Sequence, residues 1–234
     1  MEDIAQTPLE EKHRRFNAWR NQNGVLAPKL EYPARFGPDG SLVGVGCIAP
    51  IEYREAFLFI PYKLLITVDA ALKTPELAPV FEEEPMFWKG QDEYEQCILT
   101  LFLLWEFQKG ESGFWWPYLD LLPDFEELPW ELPGLQGDHL AHDARDFKKT
   151  YDDLRAKFQR VVDSNSHLFR EHLLSEALFR KLYGSVVTRC FGYGVPFTCM
   201  VPMGDNMNHH DKLGCSYEVI NPRMHLRPDK HDKS

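Results

Sequence analysis

Long apolar runs are missing. Even Ile98 to Trp105 falls far short of the roughly 20 residues a membrane-spanning helix needs. The opening residues, MEDIAQTPLEEKHRR, mix acidic and basic side chains with no apolar segment, which is not the composition of a secretory signal, so a cytosolic or nuclear location is expected. Cysteine pairing is missing too. Cys47, Cys97, Cys190, Cys199 and Cys215 are odd in number, widely spread and contain no CxxC, which argues for reduced thiols in a core and against a disulfide framework or a zinc knuckle. Nor is there a basic excess: 36 acidic residues face 26 basic ones, for a net charge of −10. A protein that grips a phosphate backbone carries a basic face, so direct nucleic-acid binding is not expected. An acidic surface suits a basic protein partner, although it serves solubility equally well.

At 234 residues the chain can bury a sizeable core as one domain, or as one domain with a large insertion. Residues 1–22 read as a charged helix or tail with Phe16 and Trp19 as anchors. Residues 23–67 consist of short β-like runs (Val25-Leu26, Leu42 to Val45, Phe57 to Ile60, Leu64 to Ile66) cut by Pro and Gly. Over 68–175 the texture becomes helical. Cys97, Ile98, Leu101, Phe102, Leu104 and Trp105 form a wide apolar stripe, and Phe147, Tyr151, Leu154, Phe158 and Val161 step by four and three. The second run covers only about two heptads, too few for a coiled coil. In 176–220 a last helical pattern, Leu178 to Val186, gives way to a strand-like run, Phe197 to Val201, that Pro202 ends. Residues 221–234, charged and without apolar period, read as a disordered tail. The fold class these textures predict is α+β: a β-rich core of short strands interrupted by a large helical insertion.

Three stretches carry more polarity or aromaticity than a fold alone requires. Asp205, Asn206, Asn208, His209, His210 and Asp211 follow directly on an apolar strand; they make either a solvated turn or a site. Gly44-Val45-Gly46 permits a tight turn or the close approach of a ligand, and, preceding a strand rather than a helix, it is not a dinucleotide fingerprint. Trp115-Trp116-Pro117-Tyr118 makes an aromatic groove or a structural corner, and the corner is favoured. His209, His210, Asp211 and Cys215 have the chemistry of zinc ligands. Adjacent histidines in an irregular turn rarely converge, however, and no second ligand pair closes a tetrahedron, so no metal is expected.

Leu42-Val43-Gly44-Val45-Gly46 with Ala49-Pro50-Ile51, then Ser112-Gly113-Phe114-Trp115-Trp116-Pro117-Tyr118-Leu119 with Leu122-Pro123, then Thr188-Arg189 followed by Asp205-x-x-Asn208-His209, occur in this order. Together they resemble the SET domain of the subfamily that includes the Rubisco large-subunit and actin-histidine methyltransferases, over roughly residues 24–220. The resemblance implies a protein methyltransferase that uses S-adenosylmethionine, with lysine N-methylation of a non-histone protein as the expected reaction and a lysine-bearing, or alternatively histidine-bearing, protein as substrate. It places the backbone of Val43, Gly44, Val45 and Gly46 against the methionine end of the cofactor. Asn208 and His209 lie against its amino-acid and adenine portions, with Thr188, Arg189 and Asp205 framing the same pocket. A buried carboxylate needs a charge partner or several donors, so Asp205 is expected to be held by backbone or by Arg189.

The family's tyrosine near the transferred methyl lies beyond the Asn-His motif in a YG segment. No such segment precedes Ser234, and Tyr217 reads as part of the strand after the turn. The catalytic residue is therefore unknown, Tyr193 and Tyr217 being the first to replace in a search for one. Truncation is the favoured account, and weak cofactor binding with little or no methyl transfer is the expectation for these residues alone. The alternative function is a non-catalytic interaction or scaffold module. Whether the cofactor binds at all separates the two.

Overall fold

The first helix opens on a reciprocal cap. Thr7 Oγ1 accepts from the Glu10 N–H, Glu10 Oε2 accepts from the Thr7 N–H, and Pro8 supplies a preset first turn. The structure is a computed structural model that describes residues 7–91, 93–131, 138–192, 195, 197–209, 215–220 and 223–228. In chain order its elements are helix α1 (Pro8–Gln22), strands β1 (Leu30–Phe36), β2 (Leu42–Cys47), β3 (Leu58–Pro61) and β4 (Ile66–Thr67), helices α2 (Val68–Leu72), α3 (Ala78–Glu83), α4 (Tyr94–Phe107), α5 (Trp116–Leu119), α6 (Asp138–Ser164) and α7 (Glu176–Arg189), and strands β5 (Cys199–Met200), β6 (Cys215–Ile220) and β7 (Arg223–Pro228). They group into two compact units, the first comprising Met1–Thr67, Phe114–Leu121 and Arg189–Ser234 and the second Val68–Gly113 and Leu122–Thr188.

The first unit is the β-rich one, and its strands pair across the whole length of the chain. β1 and β2 form an antiparallel pair with a bulge between Glu31 and Ala34. β3 pairs with β7, which pairs with β6, and β4 pairs with β5 through Ile66↔Met200 and Thr67↔Cys199. Strands before the helical insertion are thus closed by strands after it. The α1 side chains His13, Phe16, Trp19 and Arg20, three and four apart, are the buried ones. Phe16 packs edge-on to Tyr32 at 5.5 Å and tilts against Tyr118 at 6.2 Å.

His13 makes that docking sensitive to pH. It is buried, and its Nδ1 has no hydrogen-bond partner. Burial first, and then the Arg35 charge, hold its pKa below the ordinary 6.5. The unfolded chain therefore takes up this proton at higher pH than the folded one. Stability from His13 is fully present above pH 6.5 and is lost as the pH falls from there through the lower folded value. Urea midpoints taken at steps from pH 7.5 down to pH 5 should fall more steeply for the native chain than for His13→Leu; equal slopes would acquit His13.

The second unit is helical. The interior of α4 is apolar on nearly all sides, with Leu99, Leu101 and Leu103 fully buried, so this helix is the unit's axis rather than an amphipathic cover. Phe158 on α6 and Phe179 on α7 meet at 5.4 Å, and Phe179 stacks on Tyr183 at 5.3 Å.

The α+β expectation matches the architecture, while several particulars depart from it. Residues 221–234 read as a disordered tail, yet Arg223–Pro228 is the central strand of a three-stranded sheet. Ladder pairing with β3 and β6 supplies order that its own composition does not signal. The strand expected over Phe197 to Val201 narrows to Cys199–Met200. Phe147 is 67% exposed, so the buried stripe of α6 starts at Tyr151. Cys97 and Cys199 are buried, and burial pushes both thiols up to about 12, but Cys47 and Cys215 lie exposed at strand ends. The expected domain limits shift as well: Phe114–Leu121 groups with the β-rich unit, and α7 up to Thr188 with the helical one.

Candidate functional site

β2 brings its glycines into position by strand alternation. Gly44 and Gly46 point to the buried side, while Val43 and Val45 are half-buried on the other. The two glycines serve different neighbours. A Cβ at Gly46 would lie 2.7 Å from the Ala34 Cβ, so its bareness serves pairing with β1. A Cβ at Gly44 would overlap the Asn208 carboxamide, 2.7 Å from its Oδ1. Residues 164 positions apart in sequence (208 − 44) are thus packed side chain on backbone. Among the described residues β2 has β1 as its one partner strand, so alternate N–H and C=O groups of Val43 to Val45 face outward, unclaimed by a ladder.

Behind Asn208 stands a buried polar network. The chain leaves β5, turns at Met203 with φ of 81°, and enters a short 3₁₀ turn, Gly204–Asn206, in which the Asp205 side chain is fully buried. Tyr118 Oη donates to Asp205 Oδ2 at 2.7 Å, and Arg189 Nη1 donates to Oδ2 at 3.0 Å and to the Asp205 carbonyl at 3.1 Å. Burial pushes the Asp205 carboxyl above the usual carboxylate range, against the opposing pull of Arg189 and Tyr118. Burial and the Asp205 charge likewise raise the phenols of Tyr118 and Tyr32, the latter to about 12. Tyr118 therefore stays protonated as a donor. The network fixes the backbone three residues ahead of Asn208, and Asn208 and His209 themselves are exposed.

No family model matches the chain. In sequence it is 27% identical over 209 residues to the actin-histidine N-methyltransferase of Homo sapiens, covering 83% of this chain and 34% of that protein, and likewise 27% identical to that of Callithrix jacchus, covering 33% of it. In structure it matches the SET domain of LSMT bound to lysine and AdoHcy, with a TM-score of 0.74 and 20% identity over 95% of this chain and 51% of that one. Rubisco LSMT bound to sinefungin and monomethyllysine matches with a TM-score of 0.73, also at 20% identity, over 95% and 49% of the two chains. The chain has the SET-domain fold. It spans about a third of the length of the curated relatives it matches.

Within this fold the expected residues fall into three groups. Val43, Gly44, Asn208, Asp205 and Arg189 are drawn together by the β2–Asn208 contact and the network behind it, and Val45 continues the same strand. Gly46 is one pair further along, where it serves the strand pairing. Thr188 departs from expectation. It belongs to the helical unit, and its hydroxyl is spent on the Gly184 carbonyl one turn back, at 2.7 Å. Tyr217 lies on β6 with its ring edge-on to Phe191 at 5.0 Å; Tyr193, His210 and Asp211 lie outside the described residues. Among the described residues no three His, Cys, Asp or Glu side chains converge as metal ligands.

Tyr118 joins this network from outside the expected site residues. Its aromatic cluster was assigned to a structural corner, and part of that holds: Trp115 Nε1 donates to the Leu64 carbonyl at 3.1 Å. The tyrosine of the same motif does something else, since its hydroxyl ends on Asp205. Only the motif itself, an aromatic run with one polar tip, signalled it, because the residues lie 87 apart in sequence.

Proposed function

We propose that this SET domain holds S-adenosylmethionine and serves a protein methyltransferase that modifies a side-chain nitrogen of a non-histone protein. The observation that carries the reading is the seating of Asn208 on Gly44, a position that admits no side chain, beside a strand edge with outward N–H and C=O groups. Such a cradle suits the amino and carboxylate ends of an amino acid, which need paired donors and acceptors at close backbone approach. When bound, the cofactor supplies a sulfonium methyl group open to in-line displacement by an unprotonated nitrogen. The chain's own residues hold and orient. The β2 backbone offers hydrogen bonds, Asn208 adds a carboxamide, and the Tyr118–Asp205–Arg189 network anchors the turn that leads to Asn208. Lysine is the acceptor we favour, because a surface with a net charge of −10 attracts ammonium groups. The sequence relatives, which carry a histidine-directed name, support histidine as the second reading.

Calorimetry tests the cofactor step. The native chain should bind S-adenosylmethionine, and Asn208→Ala should weaken binding about tenfold, the value of one well-made hydrogen bond to a charged group. No binding by the native chain would favour a scaffold that has kept the fold without the ligand. Because little or no methyl transfer is expected from these residues alone, the affinity of the cofactor-loaded chain for Lys-bearing against His-bearing peptides then decides the acceptor.

A further inference from the structure

The helical unit has an open groove lined by none of the residues proposed to hold the cofactor. It encloses about 470 Å³, within the range of ligand-binding clefts. Its walls are Phe125, Leu128, Trp130, Tyr151, Phe147 on α6 and Val187 on α7. Phe147 and Val187 are 67% and 49% exposed, so two apolar side chains stand in solvent at one groove. Three of the four hydroxyls lining it are committed to the unit's own groups: Tyr151 donates to Glu176 at 3.0 Å, Tyr183 to Glu93 at 2.7 Å, and Thr188 to Gly184. The charged lining residues, among those described, are Glu93 and Glu127, both acidic. Tyr183 occupies one oxygen of Glu93, Oε2, and the other remains for a ligand.

The backbone is shaped for this. Glu93 and Phe125 are both non-glycine residues in the left-handed region, at φ of 55° and 50°. Such conformations cost energy and persist only where the surroundings impose them. Here the Phe125 ring packs against α7 at Gly184, so close that a Cβ there would sit 3.0 Å from two of its ring carbons. The two strained residues thus set one aromatic wall and one carboxylate of the same groove.

We propose that this groove docks a segment of a partner protein in which a large apolar side chain sits beside a lysine or arginine. The apolar side chain fills the trough between Phe125, Trp130 and Tyr151, while the cation meets Glu93 and Glu127 and can lie over an aromatic face. An anionic segment would meet two carboxylates and, among the described lining residues, no cation. The groove's geometry and charge carry this proposal without reference to methyl transfer.

Fluorescence anisotropy with a labelled heptapeptide containing consecutive Phe, Lys and Leu tests it on the full chain. Binding should saturate. It should weaken at least about tenfold when the peptide's Lys becomes Glu, when its Phe and Leu become Gly, or when the protein carries Phe147→Ser or Glu127→Lys. Both substituted side chains are exposed, so unchanged thermal midpoints should show that the variants are folded. No saturation at millimolar peptide, or equal affinity for the Glu peptide, would overturn the proposal. So would self-association of the chain that Phe147→Ser abolishes, since the groove would then belong to a second copy.

Discussion

Asp205→Ala is expected to destabilise the β-rich unit by about 3 kcal/mol, because it strands a cation that the fold has taken out of water. The Asp205 side chain is fully buried, and Arg189 retains 25% exposure, which is why the figure sits at the low end of the range for broken buried pairs. The same substitution leaves the Tyr118 hydroxyl, otherwise 2.7 Å from its acceptor, without that partner. Asp205→Asn should fall between the native chain and Asp205→Ala, since a carboxamide oxygen still accepts from Tyr118 but brings no charge. Tyr118→Phe should cost about 1 kcal/mol, one hydrogen bond. Urea unfolding followed by circular dichroism measures all three. A cost below about 1 kcal/mol for Asp205→Ala would mean that Arg189 swings out to solvent and that the network is no more than a surface ion pair.

Gly44→Ala should abolish most S-adenosylmethionine binding while leaving the fold nearly intact. The added methyl group takes the space of the Asn208 carboxamide. Gly44 is not among the residues with left-handed backbone, so alanine brings no strain of its own there. Asn208 is exposed and can move aside, which protects stability at the cost of the site. A loss of about a hundredfold in affinity is expected, roughly 2.7 kcal/mol, from displacing Asn208 and closing the approach to β2 together. The contact predicts non-additivity: in an Asn208→Ala background the same change should cost far less, because the group it displaces is already gone. Full additivity in that cycle would show that Gly44 acts apart from Asn208 and would remove the main support for the cofactor site.

Local patterns were read correctly wherever they were complete within one element. The α7 spacing of Leu178, Phe179, Leu182, Tyr183 and Val186 and the buried character of α4 are each set by neighbours three and four residues apart, and the structure has them. The motifs also named Gly44, Asn208, Asp205 and Arg189 before any contact was visible. Reading failed where a partner far along the chain decides. Phe147 continues the helical period of α6 yet lies in solvent, because periodicity reports which face a side chain is on and not whether anything covers that face.

By itself, then, the sequence determined the helices, the acidic surface, the α+β texture and the residue types of the site, all properties of short range or of composition. Tertiary structure alone decided three things. It made Arg223–Pro228 a central strand, since a ladder lends order to a run whose apolar alternation, Met224 and Leu226, is too short to signal a strand by itself. It assigned Thr188 to the helical unit and Gly46 to strand pairing, since side chains take the nearest acceptor or open space that the fold supplies. And it gave Asp205 its second anchor in Tyr118, 87 residues away, because a carboxylate buried without enough donors is too costly to keep, and the donor that reaches it is chosen by packing rather than by proximity in the chain.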